Sequence, residues 1–169
     1  MIVADRRIMK GEPCSYCVLD WRSWKLTRIS RSSLASEAQE ATTGVDAMEC
    51  VEIFFDCGLN PELDPRTGEA LTKWESALVI DAKALYDAAR KENTIQSFDD
   101  RRAGIDIHIL KRRMMLSRTL WRWVSSERQY SDGLTKVSAR QLLAARLQEC
   151  MLRLYWDPTS QAPKKKSAQ

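Results

Sequence analysis

No apolar run in the sequence approaches 18 residues, so it offers no membrane-spanning helix, and Met1 to Arg7 lacks the apolar core of a secretory leader. These two absences predict a soluble intracellular chain, cytoplasmic or nuclear. Glycine and proline are sparse, at 6 and 5 residues of 169, which excludes collagen-like and low-complexity architectures. Histidine occurs once, at His108. No Ser-His-Asp nucleophile set, glycine-rich phosphate loop or internal repeat is present. Of the five cysteines, Cys14 and Cys17 form a single CxxC, and neither a second such pair nor a histidine pair completes a zinc site. Three residues apart on a strand, the two would point to opposite faces. Buried free thiols are therefore the expectation.

The sequence does hold enough for one globular domain: 44% hydrophobic and 30% charged residues. Net charge is only +4, but it is segregated. Residues 1–32 carry 7 basic and 3 acidic side chains, residues 33–69 carry 1 and 9, and residues 101–128 carry 8 and 2. Such blocks either create opposed surfaces, one of them suited to phosphate, or are solvated helix faces. The six tryptophans fit core packing better than base stacking, since Trp21 and Trp121 fall at strand positions.

Local patterns give the element order. Met1–Ala4 is β-like, Lys10–Pro13 reads as a turn, and Cys14 to Ile29 reads as a long, bent strand. Ser32-Ser33 caps a helix to about Phe55, with Leu34, Ala38, Ala41, Val45 and Met48 as its apolar stripe. Residues 57–76, with two Pro and two Gly, read as a long loop or insertion. Ala77–Ile80 has no polar alternation and suits a strand covered on both faces. A helix follows from about Lys83 to Lys91. Another spans Asp99 to Met115, with Ile105, Ile109 and Leu116 aligned and Lys111, Arg112 and Arg113 exposed. Leu120–Val124 alternates as a strand, and Asp132 opens a last helix that Pro158 ends. Residues 158–169, with three consecutive lysines, read as a disordered basic tail behind a domain of residues 1–157.

Three carboxylates fall at element ends. Glu37 is placed in the first turn of its helix, Asp81 at the carboxyl end of a buried strand, and Asp132 at a loop-to-helix junction. Each has a structural alternative, as a helix-dipole partner or an N-cap. Taken together, acids carried by separate rigid elements are what a two-metal nuclease needs, and an oxygen-only ligand set suits magnesium or manganese.

At this point the sequence resembles the ribonuclease H domain that ends the polymerase polyprotein of copia-type LTR retrotransposons. Four stretches carry the likeness: Trp21-Arg22-Ser23 with Arg31 to Ala38; Val79 to Tyr86; Ile105-Asp106-Ile107; and Gln129-Tyr130-Ser131-Asp132-Gly133-Leu134-Thr135-Lys136. The last is the most specific. The resemblance implies an α/β fold of ribonuclease H type, a mixed sheet flanked by helices. It also implies cleavage of the RNA strand of RNA–DNA hybrids with two Mg²⁺ (or Mn²⁺) ions and no small-molecule cofactor. Glu37 and Asp81 would hold one metal, and Asp132 would help hold the other. Lys111, Arg112 and Arg113 are candidates for the hybrid backbone, where phosphate contacts position rather than specify.

The sequence departs from the family in its amino-terminal strand. The family's first catalytic Asp lies on a central first strand that has no counterpart here, and Asp5 is a poor substitute. Gly104 stands where such sequences often carry His, and the 57–76 loop is longer than usual. A gap in the sheet with unpaired backbone groups and an inactive fragment are expected, unless upstream reverse transcriptase sequence or another polypeptide supplies the strand. The alternatives are a non-catalytic relic that binds nucleic acid through residues 101–128, or an unrelated α/β interaction domain whose acids are all caps.

Overall fold

The computed structural model describes residues 1–21, 32–64, 66, 74–91 and 100–155. The expectations for Arg22 to Ile29 and for residues 158–169 fall outside them. The chain is mixed α/β, with strands β1 (Ile2–Ala4), β2 (Cys14–Val18), β3 (Ala77–Ile80), β4 (Leu120–Trp123) and β5 (Met151–Leu152). Its α-helices are α1 (Ser33–Leu59), α2 (Lys83–Arg90), α3 (Arg101–Leu116) and α4 (Arg140–Glu149). Among the described residues no helix is long and apolar enough to cross a membrane.

The strands form two sheets. One is antiparallel, in the order β1-β2-β5; the other is the parallel pair β3–β4, with Ala77 opposite Leu120 and Ile80 opposite Trp123. Between β1 and β2, the Asp5 carboxylate accepts from the Arg7 backbone N–H at 2.9 Å and caps a 3₁₀ turn over Arg6–Lys10. Gly11 ends that turn at φ 76, a conformation glycine reaches without a Cβ clash. Asp5 is thus occupied as a turn cap.

Helix α1 starts where Ser32 Oγ accepts from the Ala35 N–H at 3.1 Å. Ala35, Ala38, Ala41 and Val45 are its buried apolar residues, and Leu34 and Met48 pack partly buried against the same core. Small side chains on this face admit α3 closely. Further along, the buried face turns polar: Glu52 accepts from the Ser76 hydroxyl, and Asp56 accepts from Trp74 Nε1 at 2.8 Å. These bonds tie the second half of α1 to the segment that leads into β3. With no breaker before Asn60-Pro61, the helix runs to Leu59 and takes in Cys57, the first part of the expected loop.

Helix α3 differs from the expectation in the face it buries. Ala103, Gly104, Ile107, Leu110 and Met114 are buried, whereas Ile105 (48% exposed), Ile109 and Leu116 (70%) face outward. Both rows are apolar in sequence. The inward row is the one whose Ile107, Leu110 and Met114 join Ala38, Ala41 and Val45 of α1 in the core. β3 is less covered than its composition suggests: Ile80 is buried, but Ala77, Leu78 and Val79 are half-buried.

After β4 the chain makes 3₁₀ turns over Ser126–Arg128, Tyr130–Leu134 and Val137–Ala139 before α4 begins. Asp132 therefore lies inside a 3₁₀ turn rather than at the head of the last helix. That helix also ends early: Cys150 takes a left-handed conformation (φ 51), and Met151 and Leu152 pair with Ser15 and Cys14. All five cysteines are free, but only Cys14 is buried, so the expectation of buried thiols holds for that one alone.

Candidate functional site

The parallel pair β3–β4 ends at Ile80 and Trp123, and crevices at the carboxyl ends of parallel strands commonly hold ligands. Asp81 follows β3 there. Its backbone carbonyl accepts from Trp123 Nε1 at 3.0 Å, and its carboxylate Oδ2 accepts from Ser126 Oγ at 3.0 Å. The capping position of α2 belongs to Ala82, which makes no side-chain cap bond. Asp81 is therefore held by β4 and the turn after it, and does not cap the helix.

Glu37 is the fifth residue of α1, and no acid lies in that helix's first turn. This corrects the expected first-turn position and weakens the dipole account, because that effect fades within one turn. Burial raises the Glu37 carboxyl above its ordinary range; the nearby charges of Glu40, Asp81 and Asp132 add to the rise, while Lys136 opposes it. Glu37, Asp81 and Asp132, from α1, the end of β3 and a 3₁₀ turn, thus share one electrostatic neighbourhood. The folded chain holds the Glu37 proton to higher pH than the unfolded chain does. This contribution therefore lowers stability as pH rises from the ordinary glutamate range through the raised value.

Asp132 completes the group. Its side chain is 16% exposed and accepts from Lys136 Nζ at 2.7 Å. The Lys136 N–H also donates to the Asp132 carbonyl at 2.7 Å, closing the turn. The ammonium reaches further. Its proton is held more tightly by the hydrogen bond to Asp132 and, beyond that, by the charges of Asp132, Asp81 and Glu37. Lys136 had appeared only as the end of a motif. The signal available in sequence was its place four residues after Asp132, a spacing at which opposite charges meet on a helical turn.

The expected magnesium or manganese can be tested against these donors. Among the described residues no three of His, Cys, Asp or Glu stand where they could hold a metal ion together. The cation beside Asp132 is Lys136. Asp132 is thus paired with an ammonium, and Asp81 with the Ser126 hydroxyl.

The basic candidates separate. Arg113 lies between Asp46 and Glu49 of α1, bonding the latter at 2.5 Å, and so pins α3 to α1. Lys111 Nζ donates to the Lys91 carbonyl at 2.5 Å. Arg112 is exposed, as are Arg101 and Arg102 at the start of the same helix. No protein-family model matches this chain, and neither does any curated protein or solved structure.

Proposed function

We propose that this chain is a retroelement-derived domain of ribonuclease H type that binds RNA–DNA hybrids and does not cleave them alone. The position of Asp81 at the end of the parallel strands, held by Ser126 and adding with Asp132 to the rise of the Glu37 carboxyl, carries this reading. Neither Asp81 nor Glu37 serves as a helix cap, the role an unrelated domain would give them.

Two further features support the reading. The division into an antiparallel β1-β2-β5 sheet and a parallel β3–β4 pair fits a mixed sheet whose central strand is missing. With that strand goes the family's first catalytic Asp, and Asp5 is engaged elsewhere. The exposed bases of α3, Arg101, Arg102 and Arg112, supply cations for a phosphate backbone. A hybrid of A-like shape is recognised through backbone and 2′-hydroxyl contacts rather than by sequence.

The test is fluorescence anisotropy with a labelled RNA–DNA hybrid across a salt series, beside a cleavage assay with Mg²⁺ or Mn²⁺. Binding is expected to weaken linearly in log salt, with no metal-dependent product. Binding indifferent to salt would count against the nucleic-acid reading. Cleavage that Asp81→Asn removes would instead make the chain a nuclease in its own right.

A further inference from the structure

We propose that Trp74 to Ser76 form a pH-sensitive latch, closed over two buried carboxyl groups of α1 and released as pH rises. The latch is independent of the nucleic-acid reading. Glu52 and Asp56 lie one turn apart on α1 and are only 7% and 1% exposed. Trp74 Nε1 donates to Asp56 Oδ1 at 2.8 Å, and the Ser76 hydroxyl donates to Glu52. Phe55 supports the same contact, its ring centroid 5.6 Å from that of Trp74. The other carboxyl oxygen of Asp56, Oδ2, is buried without any hydrogen-bond partner.

Two buried acids side by side are costly when both are ionised and no cation joins them. The charges that act on Glu52 are Glu49 and Asp56, both on its own helix and both negative. Arg113 of α3 is engaged by Asp46 and Glu49, and Arg6 by Glu75. Burial first, and then these two charges, hold the Glu52 carboxyl above its ordinary range, against the opposing Ser76 bond. The closed latch therefore keeps the Glu52 proton to higher pH than the open one does. Closure is fully favoured below the ordinary glutamate range and weakens as pH rises through the raised value. Release reaches other elements, because the Ser76 carbonyl accepts from the Leu120 N–H of β4 at 2.8 Å and Glu75 binds Arg6 just after β1.

Native-state hydrogen exchange of the full chain from about pH 5 to about pH 8, corrected for the intrinsic pH dependence of exchange, tests this. The protection factor of the Leu120 amide is expected to fall at least about threefold over that range. The Val124 amide donates to the Ile80 carbonyl at 3.0 Å, at the far end of the same strand pair, and should keep its protection. Glu52→Gln leaves an acceptor for Ser76 but cannot ionise, so its Leu120 protection should stay constant. Leu120 protection that does not fall, or that falls in step with Val124, would overturn the latch, as would an equal fall in Glu52→Gln. The comparison of Leu120 with Val124 is made within the unaltered chain, so it decides the matter even if the variant does not fold.

Discussion

Leu110→Ala is expected to destabilise the fold by about 2–5 kcal/mol, the range for deleting a buried leucine side chain. Leu110 is fully buried (0% exposed) in a cluster with Ile107 and Met114 of α3 and Ala38, Ala41 and Val45 of α1. The α1 side of that contact is mostly alanine, which has no side chain to swing into a void. Relaxation is therefore limited, and the upper half of the range is expected. Ile105→Ala on the opposite face should stay within about 0.5 kcal/mol, as exposed substitutions usually do. Urea denaturation separates the two: the Leu110→Ala midpoint falls sharply at unchanged slope, while that of Ile105→Ala barely moves. A larger loss from Ile105→Ala would mean that α3 packs through its other face.

Gly133→Ala carries the second large effect, about 1–3 kcal/mol as for other overpacked sites. A Cβ at Gly133 would lie 2.5 Å from Leu143 Cβ and 3.0 Å from the Ala139 carbonyl oxygen. Neither is the end of a flexible side chain, so the turn must move away from α4. Asp132 moves with it, and its bond to Lys136 is disturbed. Gly58 is the control. It lies in the last turn of α1 with nothing within 4 Å of its would-be Cβ, so Gly58→Ala should be neutral or gain up to about 1 kcal/mol from helix propensity. Thermal melts of the pair are expected to move in opposite directions, or one down and one not at all. A neutral Gly133→Ala would show that the turn does not press on α4.

Features set by near neighbours were legible in the sequence. Ser32 announces the start of α1, the unbroken apolar run Ala77–Ile80 announces β3, and alternation announces β4. Glu37 and Asp81 were legible because each sits just inside or beyond such an element, whereas Asp132 stood out only through its motif and lies in a 3₁₀ turn rather than at a helix head. Features decided by distant partners were not. Ile105 and Ile107 are equally apolar, and only the alanine face of α1 selects between their rows. The end of α4 depends on β5 finding β2, a pairing between Leu152 and Cys14 that no local pattern encodes. Arg113 reads as a phosphate-seeking base until Asp46 and Glu49 are seen beside it. The Asp132–Lys136 pair, by contrast, is local: its spacing of four is closed by the i→i+4 bond from the Lys136 N–H to the Asp132 carbonyl.

The meeting of the three acids is tested most directly by titrating the Glu37 carboxyl carbon by NMR in the unaltered chain, Asp81→Asn and Lys136→Met. In the unaltered chain Glu37 should titrate above the ordinary glutamate range, since burial and neighbouring negative charges both hold its proton. Asp81→Asn should bring that midpoint down by removing a negative neighbour, and Lys136→Met should push it higher by removing the positive one. A Glu37 midpoint that ignores both substitutions would contradict the account, because it would mean that these side chains do not share a site.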